Sequence, residues 1–197
     1  EKDMNIDSNE LEEFDYKLRE IAINLCKKLN FQDYQDHKLY KVLRVVAGKK
    51  QNKECHQYHF DAHNLTILIP IFIPKNKKNS ENGDLIIFPN IRKNTKSVFI
   101  NIIQKLFYQS FLSRNFFLKI NFIKKILNFS RLSLEPGKAY IFYGFRTLHG
   151  TLGIDKNDIR ATLPVHFYDP FKNSKLVKFN RYLMWKKRVY NLNKNFT

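Results

Sequence analysis

A chain of 197 residues with 43% hydrophobic and 15% aromatic side chains is long enough to bury a core and too apolar to be disordered, while six glycines and six prolines exclude collagen-like and low-complexity classes. Two cysteines, Cys26 and Cys55, fall short of a disulfide framework, so free thiols in a reducing cytoplasm are expected. The net charge of +17 favours an anionic partner or substrate, and no apolar run approaches the ~18 residues needed to span a bilayer.

The charge is unevenly spread. The first 20 residues carry eight acidic and three basic side chains, whereas no acidic residue lies between Asp84 and Glu135. The N-terminus has no secretory-signal pattern. The chain starts at Glu1 rather than Met, and a targeting signal on a trimmed upstream segment would be out of view.

In chain order, Leu11, Phe14, Leu18, Ile21, Ala22, Leu25 and Cys26 recur at spacings of three and four, which predicts a helix over Asn9 to Lys28 packed on the outside of a sheet. The β-branched run Lys41 to Gly48 predicts a strand, followed by a charged loop over 49–54. Leu65 to Ile73 predicts a long buried strand, in which Pro70, lacking an N–H, requires an edge, a bulge or a break. A polar turn over 75–82 leads to a short strand from Gly83 to Pro89. Phe99 to Ile126 combines apolar residues at helical spacing with Lys105, Arg114, Lys119, Lys124 and Lys125, which predicts one or two basic amphipathic helices. Their apolar face is expected to join the core, with a lid, a dimer face or a membrane-surface helix as alternatives. The turn Glu135-Pro136-Gly137, a strand from Lys138 to Tyr143, a loop from Leu152 to Asp158 and a strand from Arg160 to Tyr168 follow. Leu176 to Leu192 reads as a basic helical tail. One domain is expected, a sheet-built barrel or sandwich with helical support.

The chemistry centres on His59-Phe60-Asp61. On a strand, residues two apart face the same way, so an imidazole and a carboxylate stand side by side. A third ligand, His149, completes two histidines and one carboxylate, the set associated with non-haem Fe(II) and an open coordination face. Arg160 and Thr162, again two apart, can grip one carboxylate. Cys55, His56 and His63 lack the paired spacing of a zinc site and read as loop or supporting residues. His166 reads as structural, His37 as surface, Arg44 as either pocket or solvated, and Tyr58 and Tyr143 as pocket candidates.

The ordered set Leu43-Arg44-Val45, His59-Phe60-Asp61, Gly83-Asp84-Leu85, Pro136-Gly137, Tyr140-Ile141-Phe142, His149-Gly150-Thr151 and Arg160-Ala161-Thr162 resembles the Fe(II)/2-oxoglutarate-dependent dioxygenases. The resemblance implies a mainly β fold with flanking helices around a double-stranded β-helix, the jelly-roll or cupin-like barrel. It implies a core over about 42–168, to which the helical spacing adds a helical insert over about 97–130, longer than a compact member of the family needs, and a helical tail over about 176–192, in a single domain spanning 1–197. His59, Asp61 and His149 would hold Fe(II), Arg160 would anchor 2-oxoglutarate with Thr162 as helper, and O2 would be the co-reactant. An Arg rather than a Lys at 160 looks more like the phytanoyl-CoA hydroxylase-like or Arg-x-Ser branches than the prolyl 4-hydroxylase branch. The carboxylate at position 61 points to a hydroxylase that releases succinate and CO2. Two rivals stand beside this reading: a cupin-type metalloprotein that does not use 2-oxoglutarate, and a basic module binding nucleic acid or a membrane surface.

Overall fold

The computed structural model describes residues 8–32, 34–35, 38–47, 58–74, 83–110, 121–183 and 186. The expected loop over 49–54, the turn over 75–82, His37, Cys55, His56, Arg114 and Lys119, and the tail beyond 186 lie outside the described residues.

Helix α1 (Ser8–Lys28) opens with Glu10 in its first turn and ends with Lys27 and Lys28, charges that complement the helix dipole. Asn30 takes a left-handed φ of 53°, and Asn30 N–H donates to Lys27 O while Phe31 N–H donates to Cys26 O, closing the helix as a Schellman motif. Leu18, Ala22 and Cys26, each four residues apart, are buried, whereas Leu11, Phe14 and Ile21 remain substantially exposed. The apolar stripe is therefore narrower than the sequence spacing predicts.

The strands form two antiparallel sheets. The larger has the order β1/β2–β8–β3–β6, from β1 (Tyr40–Lys41), β2 (Arg44–Ala47), β3 (Leu65–Phe72), β6 (Tyr140–Phe142) and β8 (Ile159–Phe167). The smaller has the order β5–β4–β7, from β4 (Leu85–Phe88), β5 (Ser130–Leu132) and β7 (Leu148–Thr151). The single strand expected over Lys41 to Gly48 is divided into β1 and β2, although both keep one register against β8: Lys41 opposite Val165, Arg44 opposite Thr162. Pro164 is the reason. Val42 N–H donates to Pro164 O at 3.1 Å, but Pro164 has no N–H to return, so the ladder lapses for two residues. Pro70 sits beyond the stretch of β3 paired with β6, and the register against β8 shifts between Pro70 and Phe72, the expected bulge.

Strand alternation sorts the larger sheet into two faces. Leu65, Ile67, Val165 and Phe167 lie under Leu18, Ala22 and Cys26 of α1. Thr66, Leu68, Phe142, Thr162, Pro164 and His166 share the other face, where they line a cavity. Leu68, Ile73, Leu85 and Leu134, with Leu132, Tyr140 and Phe142 against them, fill the space between the two sheets. The outer side of the smaller sheet packs Ile86, Phe88 and Leu148 with Tyr58 and Phe60, covered by Tyr108 of α2 (Val98–Gln109) and Ile123 of α3 (Asn121–Ile126). A fourth helix, α4, runs over 175–183. Ser97 caps α2 by accepting from Ile100 N–H at 3.3 Å.

One expectation is met only in part. Phe99, Ile103, Leu106 and Phe107 of α2 are about half or more exposed, while Asn101 is 7% exposed. Among the described residues α2 thus turns Asn101 inward and these four apolar side chains outward, while Tyr108 packs on the core outside the smaller sheet.

Candidate metal centre

The site is built where the segment ahead of β3 crosses the edge of the smaller sheet. His59 N–H donates to His149 O at 2.9 Å and His149 N–H to His59 O at 3.0 Å, a hydrogen-bonded antiparallel pair that sets the two imidazoles side by side. Their ring centroids are 4.4 Å apart. Asp61 N–H donates to Gly144 O at 3.0 Å, which turns the Asp61 carboxylate toward both rings. His59 Nε2 lies 3.6 Å from Asp61 Oδ1 and His149 Nε2 lies 3.5 Å from Asp61 Oδ2.

One ligand atom from each of these three residues lies within 4.8 Å of the others. The donor set suits a divalent first-row metal. His149 Nδ1 is 3.0 Å from Thr147 O, so Nδ1–H donates to that carbonyl and Nε2 is left with its lone pair toward Asp61. Burial alone would raise the Asp61 pKa, but the neighbouring imidazoles of His149, His166 and His59 outweigh it and hold the carboxyl well below the usual range. For His149, burial works downward and the Asp61 carboxylate more than reverses it, so its pKa is raised.

Two residues support the carboxylate that the sequence did not single out. Thr66 Oγ1 donates to Asp61 Oδ2 at 2.5 Å, which leaves the same oxygen to accept from His166 Nδ1–H at 3.1 Å. His166, read from sequence as merely structural, faces the cavity and stands 3.7 Å from Asp61 Oδ2. The available signal was parity: Arg160, Thr162, Pro164 and His166 alternate on one strand, so the face that carries Arg160 also carries His166. Thr66 pairs directly with His166 across β3 and β8. His63 stacks on His166, with centroids 5.3 Å apart, and burial together with the His166 charge lowers its pKa to about 4.

All five residues expected to form the site, His59, Asp61, His149, Arg160 and Thr162, line one cavity. Arg160 is 2% exposed, and its Nη1 donates to Gly83 O at 3.0 Å, reaching from the larger sheet to the start of β4. Gly83 has φ +71°, and a Cβ there would meet Arg160 Cδ at 2.8 Å and Ile154 Cγ2 at 2.9 Å. A Cβ at Gly144 would collide with Asp61 Oδ2 and Thr66 Oγ1. Both positions need glycine for close approach. Arg44, opposite Thr162, also lines the cavity. Tyr58 and Tyr143 do not: Tyr58 is buried in the core outside the smaller sheet, and Tyr143 lies under Arg146 at 6.0 Å.

Cys26 is a free buried thiol, and among the described residues no helix is long and apolar enough to cross a membrane.

No known family and no curated protein matches the chain. Solved structures similar to it include the following two. One, from work on prolyl 4-hydroxylases of Phytophthora capsici, is 14% identical, with 71% of this chain and 35% of that chain covered and a TM-score of 0.39. The other, a prolyl 4-hydroxylase of Pseudomonas putida, is 9% identical, with 77% of this chain and 62% of that chain covered and a TM-score of 0.38. The chain thus spans less than two thirds of either protein.

Proposed function

We propose that this protein is an Fe(II)- and 2-oxoglutarate-dependent oxygenase that hydroxylates a C–H bond of a substrate whose anionic character its net charge favours, with release of succinate and CO2. The two facing antiparallel sheets would then be the halves of a double-stranded β-helix. The observation that carries the reading is the meeting of two imidazoles and a carboxylate in one cavity that also holds a buried guanidinium.

Iron bound by His59, Asp61 and His149 would supply an open face at which O2 and the keto acid react. The chain's own residues prepare that face. Thr147 O fixes the His149 tautomer, and Thr66 fixes the rotation of the Asp61 carboxylate. Arg160 would take the far carboxylate of 2-oxoglutarate through charge-assisted hydrogen bonds, with the Thr162 hydroxyl beside it. Leu68, Leu85, Leu134 and Phe142 give the cavity its apolar walls. The Arg at position 160 supports the phytanoyl-CoA hydroxylase-like or Arg-x-Ser branch for this chain.

The test is succinate formation from 2-oxoglutarate with and without Fe(II), in wild type and Asp61→Ala. Iron-dependent succinate that disappears in the variant supports the reading. Iron binding without any consumption of 2-oxoglutarate would favour the cupin-type alternative, in which Arg160 serves only to tie Gly83.

A further inference from the structure

A second concavity lies beside the metal centre, between α2 and α4. It encloses about 1190 Å³ including its mouth, and Ile102, Phe171, Val177, Phe179 and Leu183 give it apolar walls. Ala62, the residue after Asp61, forms part of its lining.

The charges in this groove do not cancel. Asp169 is its acidic residue among the described lining, and it is already engaged: Oδ2 accepts from Arg181 Nη2 at 2.5 Å and Oδ1 from Phe171 N–H at 2.9 Å. Lys105 is left over. No hydrogen bond or ion pair holds its ammonium among the described residues, although it is partly buried. Behind it, Arg92 is 3% exposed between the rings of Phe60 and Phe145, each 4.0 Å away, and donates from Nη1 to Asn101 Oδ1 at 2.9 Å. Lys105 thus stands in surroundings that disfavour its charge, and its pKa falls to about 8, first through burial and then through Arg92, with the Asp61 and Asp169 carboxylates offsetting only part of the fall. The reversed polarity of α2 has the same sense: Asn101 and Lys105, one turn apart, line the groove, while Phe99, Leu106 and Phe107 face outward. Such a conflict between local pattern and burial is expected at functional sites.

We propose that this groove binds a small amphipathic monoanion, its carboxylate against Lys105 and its apolar body along Ile102, Phe179 and Leu183. The lysine that no ion pair among the described residues holds sets the charge of the occupant, and the apolar walls set its tail. An occupant reaching Ala62 lies next to Asp61. Whether it is then oxidised rests on the oxygenase reading, but its binding does not.

The experiment uses metal-free protein without 2-oxoglutarate, so a failed succinate assay and a failed binding assay are separate results. Calorimetric titration with decanoate at pH 7 is expected to show saturable binding, with decyltrimethylammonium and decanol binding at least tenfold more weakly. Lys105→Gln is expected to weaken decanoate at least tenfold and Lys105→Arg to restore it. Ile102→Asp, at a partly exposed wall position, should also abolish binding and serves if Lys105→Gln does not fold. Undiminished binding in Lys105→Gln, equal affinity for the cationic chain, absence of binding, or binding only to anionic vesicles would each overturn the proposal.

Discussion

Thr66 and Asp61 are joined by a hydroxyl–carboxylate hydrogen bond of 2.5 Å, and the hydroxyl is itself held by His166 from the facing strand. The carboxylate orientation is therefore set by a cross-strand pair rather than by the segment that carries Asp61. Thr66→Val keeps the shape and removes the donor. Metal affinity is expected to fall about 10- to 100-fold with the fold retained, measured by anaerobic competition titration with Fe(II) or Co(II). Thr66→Ser should keep wild-type affinity, and equal affinity in the Val variant would contradict the role assigned to the hydroxyl.

Gly144→Ala places a methyl where Asp61 Oδ2 and Thr66 Oγ1 already sit. Overpacking of this kind costs about 1–3 kcal/mol. The urea midpoint should fall, and metal affinity should fall with it. An unchanged midpoint would mean that the close approach is relieved at no cost.

Arg160→Ala separates the metal from the diacid. Loss of a charge-assisted hydrogen bond costs about 1.5–3 kcal/mol, so the 2-oxoglutarate requirement should rise by about one to two orders of magnitude while Fe(II) binding persists. Arg160→Lys, which fills the same space without the fork, should recover only part of the loss. Retained 2-oxoglutarate affinity in both variants would remove Arg160 from the site.

How much of this was legible in the chain depends on what marks each residue. His59, Asp61, His149, Arg160 and Thr162 stand at spacings that strand geometry makes meaningful, and the structure brings all five to one cavity. Thr66 carries no such mark, because an inward-facing polar residue on a strand looks the same in sequence as an outward one until the register is known, whereas His166 shares the parity of Arg160 and Thr162 on one strand. The division of β1 from β2 originates in Pro164, more than a hundred residues away, and only the pairing with β8 reveals it. The aromatic segment was legible in part. Its helical spacing predicts α2 correctly, yet periodicity cannot say which side of a helix faces inward when Asn101 and Lys105 form the opposite stripe.

Lys105 gives a pH signature. Its pKa near 8 lies below the ordinary lysine value of 10.5, so the unfolded chain binds more protons between those two values and stability rises with pH across that window. Below pH 8 the cost of burying the charge beside Arg92 and Arg181, which Asp61 and Asp169 offset only in part, is fully present. Subtracting the pH profile of the urea midpoint for Lys105→Met from that of wild type should isolate the effect: the variant is expected to be the more stable at pH 7, with the gap narrowing toward pH 10. A constant gap would refute the titration.

Cys26 lies wholly buried on α1, and burial pushes its pKa up to about 11. Native protein at pH 8 should leave this thiol unalkylated by iodoacetamide, whereas urea-unfolded protein should label it fully, as read by peptide mapping. Rapid native labelling at Cys26 would contradict the packing of α1 on the larger sheet.

The bond from Arg160 to Gly83 O spans the gap between the sheets, so one side chain serves as both a strut and the receptor proposed for a diacid. Any anion that drew the guanidinium off that carbonyl would loosen the brace at the entry to β4, and an anion that left it in place would stiffen the cavity mouth instead. Occupancy of the cavity and the rigidity of its rim are thereby tied to the same few atoms.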